Sequence, residues 1–281
     1  MNVRSALVIL TVGASLFATA HAHDLPKVIF TATTESVTGP ESVQAGYVNL
    51  ALENQDEGMR ALGIFRLKDG ADVARAKNLT VRALSGEEVR PEEEKALTDG
   101  FYGGAVFVEP ATRKEVGVTL VPGTYVVYAD GITDEGLTLT PDYVTTLTVT
   151  PHAYSSAELP TPDYTVKMVD HAFAFPADIR AGKHLFRVEN LGHQEHMMFV
   201  SKLLPGKTLE DVMALFEDES DPTTVMEEET FGVHGVSPGL FNDAVFDLEP
   251  GNYAAVCFVT DPESGLPHAM LGMTQVFTVT D

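Results

Sequence analysis

The sequence predicts an all-β chain folded as two tandem β-sandwiches, and two observations carry that expectation. First, its apolar runs are short, rich in Val, Tyr, Phe and Thr, and separated by Gly and Pro, the pattern of sandwich strands. Second, the chain repeats itself. "NLALENQDEGMRALGIFRL" (49–67) and "LFRVENLGHQEHMMFVSKL" (185–203) share a Glu-Asn pair, a polar loop and a short apolar run ending in basic-Leu. "VTLVPGTYVVYADG" (118–131) and "FDLEPGNYAAVCFVTD" (246–261) share Pro-Gly-x-Tyr, a tight turn feeding a strand. Each half closes on Thr-Val-Thr, at 148–150 and 278–280.

Taken from the start, residues 1–22 read as an export signal: Arg4, an apolar run over 6–18, and the small-x-small tripeptide Ala20-His21-Ala22. A membrane span would need about 20 apolar residues, and this run is shorter. The expectation is an exported, periplasmic or secreted protein whose mature chain begins near His23, without stable membrane insertion. A first domain then occupies 23–150. "PHAYSSAELPTPD" (151–163), rich in Pro and Ser, is the linker, and a second domain occupies 164–281. A short helix interrupts the second domain after Thr208, because Leu209, Val212, Met213 and Phe216 share one helical face. Thr208 and Asp211 form a capping arrangement at its start. The acidic run over 217–229 reads as a solvated loop.

With 41 acidic and 18 basic residues the formal net charge is -23. Such a surface repels phosphate backbones, which argues against nucleic acid as a partner and for a cation or a basic protein. The single cysteine, Cys257, cannot form an internal disulfide, and an exported thiol is open to oxidation unless buried or metal-bound. No histidine lies between 24 and 151, whereas seven lie from His152 onward, so a metal site belongs to the second half. Aligning the repeats places Arg60 where His196 stands and Ala129 where Cys257 stands.

These residues resemble the cupredoxins, Greek-key β-sandwiches that bind copper through His, Cys, His and often Met. The resemblance covers 164–281, from "AFAFPADIRAGKHLFRVENLG" through "PGNYAAVCFVTD" to "GLPHAMLGM", and 28–150 looks like a degenerate copy without ligands. It implies one copper ion in the second domain, held by His196, Cys257, His268 and, axially, Met273. Copper chemistry agrees, since two imidazoles and a thiolate in a near-trigonal plane with a weak thioether serve both oxidation states. The interval from Cys257 to His268 is longer than the family usually has. Its Asp-Pro and Gly allow "FVTDPESGLP" to fold back as a small hairpin or turn without straining the strand.

Other residues carry weaker signals. His193 and His196 would point to opposite faces of a strand, so one ligand is expected from the pair. Met197, Met198 and Met270 offer an alternative soft site, and core packing is the commoner use of such residues. His23 could chelate copper through its amine and ring if the signal is cleaved after Ala22. His171, His184 and His234 carry no spacing signal and are expected on the surface or in the core.

The implied function is electron transfer or copper handling, with a basic redox or copper-handling protein as the expected partner. The alternative is a metal-free cupredoxin-fold structural or interaction protein. A copper oxidase needs several His-x-His pairs, and only His21-Ala-His23 is present. Hydrolase motifs are also missing, so the chain is expected not to be an enzyme, with no catalytic residues.

Overall fold

The computed structural model describes residues 25–281 except 88, 134–135, 153–158 and 219–220. The predicted signal, His23 and part of the predicted linker thus lie outside the described residues.

The first half supplies β1 (Lys27–Ala32), β2 (Val37–Thr38), β3 (Ser42–Gln44), β4 (Gly46–Asn54), β5 (Met59–Leu67), α1 (Val73–Leu84), α2 (Pro91–Leu97), β6 (Thr98–Phe101), β7 (Thr112–Leu120), β8 (Gly123–Thr133), β9 (Gly136–Thr138) and β10 (Val144–Thr150). The second half supplies β11 (Tyr164–Val169), β12 (Ala172–Ala174), β13 (Ile179–Arg180), β14 (Gly182–Asn190), β15 (His196–Leu203), α3 (Leu209–Asp218), β16 (Met226–Val236), β17 (Phe241–Leu248), β18 (Gly251–Val256) and β19 (Thr274–Thr280).

The same pairing plan runs through both halves. β1 lies parallel to β4 and antiparallel to β2, as β11 lies parallel to β14 and antiparallel to β12. In the opposing layer β10 is parallel to β3 and antiparallel to β8, as β19 is parallel to β13 and antiparallel to β18. Each half is an open, two-sheet, cupredoxin-like sandwich. The closing strands β10 and β19 bury their residues in the same alternation, since a strand between core and solvent turns every second side chain inward.

Each shared motif has a structural cause. After Pro122 and Pro250, Gly123 and Gly251 take φ of +152° and +151°, a conformation that disfavours side chains. The turn then delivers Tyr125 and Tyr253 so that each hydroxyl reaches the backbone four residues upstream. Tyr125 bonds the N–H and C=O of Val121 at 3.0 and 2.9 Å, and Tyr253 those of Glu249 at 3.1 and 2.9 Å. The paired asparagines are buried loop ties. Asn54 donates to the carbonyls of Gly58 and Val108, and Asn190 donates to those of Gln194 and Val236.

The halves meet along β7 and β17, which pair antiparallel at Asp243 with Gly117 and Ala244 with Val116. The seam completes one eight-stranded sheet in the order β12-β11-β14-β17-β7-β4-β1-β2. Asp243, buried in the seam, accepts from Tyr47 Oη at 2.7 Å and from both Arg187 Nε and Nη2 at 2.8 Å. A single apolar cluster runs from Val28 in β1 to Val279 in β19.

Two expectations need correction. α3 forms where predicted, with Thr208 donating backbone N–H and hydroxyl to Asp211 at 2.8 and 2.9 Å, but it is not the only helix. α1, capped by Asp72 accepting from Arg75 N–H, and α2, with Pro91 in its first turn followed by three glutamates, are inserted between β5 and β6. Both carry start signals that strand-like composition elsewhere in the half outweighs. The acidic run is also not all loop, because it ends within β16.

Candidate metal centre

Three strand-and-loop segments converge at one end of the second sandwich. β15 begins at His196, β18 runs out at Val256 just before Cys257, and a one-turn 3-10 helix begins at His268. The long Cys-to-His interval folds back on itself: Thr260 bridges Pro267, and Asp261 N–H donates to Leu266 C=O at 2.8 Å. His268 N–H then donates to Val259 C=O at 2.8 Å, which returns the imidazole to the end of the cysteine strand. Of the hairpin or turn expected there, a small hairpin forms, and it brings Cys257 and His268 together.

The three donor atoms form a compact triangle. Cys257 Sγ lies 4.0 Å from His196 Nδ1 and 3.6 Å from His268 Nδ1, and the two Nδ1 atoms are 3.1 Å apart. A point equidistant from corners at these separations lies about 2.1 Å from each, the length of a metal–imidazole bond and slightly short of a metal–thiolate bond. His196, Cys257, His268 and Met273 are all 0% exposed, so the donor cluster is buried away from bulk solvent. Met273 is held between the other two by its backbone, its N–H donating to His268 C=O at 2.9 Å and its C=O accepting from Cys257 N–H at 3.2 Å.

The outer ring nitrogens settle the tautomers. His196 Nε2 faces Asp170 Oδ1 at 3.2 Å, and a carboxylate accepts, so Nε2 carries the proton. His268 Nε2 faces Gln194 Oε1 at 2.9 Å, and Gln194 Nε2 donates onward to Asp261 Oδ1 at 3.0 Å. Both Nδ1 atoms are consequently bare lone pairs pointing at each other and at the sulfur. Such crowding is relieved by a positive centre between them, and the outer hydrogen bonds are of the kind that orient metal-binding imidazoles.

Burial lowers the pKa of His196, against the pull of Asp170, and takes His268 down to about 4, with His196 and His171 adding to the effect. Burial also pushes the Cys257 thiol up to about 11, although the N–H groups of Met197 and Val259 oppose it. Metal binding at this thiol must therefore release its proton. Asp170 loses solvation too, yet the His193 side chain and backbone, His196 and Gln194 hold its carboxyl well below the usual carboxylate range.

Other sequence expectations resolve as follows. His193 is exposed and bonds Asp170 Oδ2 at 2.7 Å, so it supports the loop without joining the triangle. Met198 is buried in the core, Met197 packs against it and Met270 is exposed. His184 is half-buried against Tyr164, and His234 packs edge-on to Tyr128. His171 is more than a bystander: it forms a second potential cation-binding group with Asp261 and His268. Its backbone is left-handed at φ +61°, its Nε2 is buried without a partner, and its ring centroid lies 5.2 Å from that of His268. The tight Asp170-His171 turn between β11 and β12 aims both residues here, and no sequence spacing announces it.

The first half fills the matching place differently. Gly63 faces Tyr128 as Phe199 faces Val256, and this register puts Arg60 and Ala129 at the ladder positions of His196 and Cys257. Arg60 bonds Asp56 Oδ2 at 2.7 Å and the Ala129 carbonyl at 3.3 Å, and its guanidinium lies 3.8 Å over the Tyr143 ring. A fixed side-chain cation thus stands where the second half gathers its donors.

No protein-family model and no curated protein matches the chain. Solved structures similar to it include the reduced auracyanin of the photosynthetic bacterium Roseiflexus castenholzii, at 16% identity over 42% of this chain and 95% of that one, with a TM-score of 0.28. The copper-containing nitrite reductase of Thermus scotoductus is similar at 11% identity over 90% of this chain, with a TM-score of 0.23, and this chain spans 61% of its length. The blue copper oxidase of Nitrosomonas europaea is similar at 11% identity over 90% of this chain and 84% of that one, with a TM-score of 0.24. Scores of this size assign none of these activities to the chain. They do correct one expectation. Because the similar structures include a reductase and an oxidase, the lack of multicopper oxidase and hydrolase motifs does not make this chain a non-enzyme.

Proposed function

We propose that the chain is an exported copper protein whose second half would hold one copper ion through His196, Cys257 and His268, with Met273 offering a fourth, thioether donor. The observation that carries this reading is the triangle of bare Nδ1, Nδ1 and Sγ donors around a point about 2.1 Å from each. Copper bound there would supply one-electron redox chemistry. The chain's own residues would exclude water, fix both imidazoles through Asp170 and Gln194, and direct the Met197 N–H at Cys257 Sγ from 3.4 Å.

Electron transfer suits this site better than copper exchange, because all four side chains are enclosed and the imidazoles are tied from behind. Leu266 and Met270, 41% and 42% exposed, flank His268 in the chain and offer apolar contact to a redox partner. The acidic surface favours a basic partner. The division into an export signal over 1–22, a metal-free first domain over 23–150, a linker over 151–163 and a copper domain over 164–281 belongs to the same proposal.

The test is to load the purified mature chain with cupric ion and record its visible spectrum. One equivalent should bind and produce a thiolate-to-copper charge-transfer band, and Cys257→Ser should abolish that band. Failure of the native chain to take up copper would leave the metal-free interaction protein as the better reading.

A further inference from the structure

α1 and α2 do more than decorate the first half: they roof a cavity of about 240 Å³ whose opposite wall belongs to the second half. Its lining is largely apolar, with Phe65, Leu79, Leu97 and Phe101 facing Met197 and Val259. The cavity backs onto the candidate metal centre, since Met197 donates its N–H to Cys257 and Val259 accepts from His268. Beside it lies a wider, polar recess lined by Glu87, Lys95, His193 and Gln194. Ala83, Val89, Glu94, Glu195 and Val259 line both spaces and so form the neck between them.

Two carboxyl groups therefore stand at the mouth of an apolar chamber. Among the described residues, neither the Glu94 nor the Glu195 side chain has a hydrogen bond or an ion pair to a protein donor. Lys95 in the adjoining recess acts on Glu94 from a distance, but neither carboxyl group has a direct N–H partner, and carboxyl groups held in this way against apolar walls favour a cation that brings its own N–H donors. A bare metal ion does not fit, because the donor atoms of Glu94, Glu195 and His234 are not among the groups that converge tightly enough to share one. An anion is excluded by charge. The chamber behind exceeds the roughly 150 Å³ cavity that takes up benzene, leaving room for one ring and a short chain.

We propose that this chamber binds a small amphipathic amine, its ring inside among Leu79, Leu97 and Phe101 and its ammonium at the neck between Glu94 and Glu195. This site stands independently of copper, so it is tested on the copper-free full chain. Calorimetric titration with 2-phenylethylamine should show one site, and the neutral isostere 2-phenylethanol should bind at least about tenfold more weakly. Ala83→Phe, made at an exposed neck position where folding is spared, should reduce amine binding about tenfold or more. Glu94→Gln combined with Glu195→Gln should bring amine and alcohol to similar affinity. Equal binding of the two probes by the native chain, no binding of the amine, or undiminished binding by Ala83→Phe would each overturn the proposal.

Discussion

Gly192 shows how little room the candidate centre leaves around its outer hydrogen bonds. A Cβ there would collide with Asp170 Oδ1 and lie 2.7 Å from His196 Nε2, so the close approach of these two groups depends on a missing side chain. Gly192→Ala should part the pair and lower copper affinity about 10- to 100-fold, the usual cost of losing such an orienting partner, as measured by competition with a chelator. Asp130, in the first half, makes a prediction with a pH sign. Burial pushes its carboxyl up to about 7, with its own backbone and Arg60 opposing, and its Oδ1 is unpaired. The folded state keeps this proton to higher pH than the unfolded chain, whose aspartate titrates near 3.9. Any stability linked to it is therefore present below about pH 4 and lost as pH rises towards 7. Asp130→Asn should raise Tm by several degrees at about pH 8, and the gain should vanish near pH 4 in thermal melts.

The elements were legible in the sequence where one short segment contains its own cause. The Pro-Gly-x-Tyr turn is complete within seven residues, because glycine supplies the backbone conformation and tyrosine closes the loop behind it. Tyr253→Phe should therefore cost about 1–3 kcal/mol by leaving the Glu249 backbone groups without their partner, and urea titration reads that loss directly. The Thr208 cap of α3 was readable for the same reason. α1 and α2 are less legible, although Asp72 and Pro91 mark their starts: α1 follows β5 as α3 follows β15, with Asp72 standing where Thr208 precedes α3, but the two helices have little sequence in common, and α2 is matched by no α-helix among the described residues of the second half. The hairpin between Cys257 and His268 lies between these cases. Its Asp-Pro and Gly announced a turn, but only the backbone pairing of Asp261 with Leu266 and of Val259 with His268 shows where the turn delivers the imidazole.

The molecule as a whole is held across the seam by a buried charge cluster. Arg187 and Tyr47 come from different halves and both spend their hydrogen bonds on Asp243, while Arg187 also lies 4.3 Å over the Phe241 ring. Removing the guanidinium strands a buried carboxylate. Arg187→Leu should thus destabilise the chain by about 3–5 kcal/mol in denaturant titration, well beyond the value of a surface ion pair. The same joining of halves creates the chamber beneath α1 and α2, which neither half forms alone.

By itself the sequence determined the strand-rich sandwich class, the repeated turn and loop ties, and the contrast that marks His196, Cys257 and His268 as what the second half has and the first lacks. These are products of residue type at short range, where backbone geometry and side-chain chemistry act within a few positions. The tertiary structure alone decided the rest. Asp170 meets His196 across 26 positions and Gln194 meets His268 across 74, and His171 enters their neighbourhood from a turn with no motif. Such partnerships depend on which strands lie side by side, and that is set by burial summed over the whole core, not by any single stretch of chain.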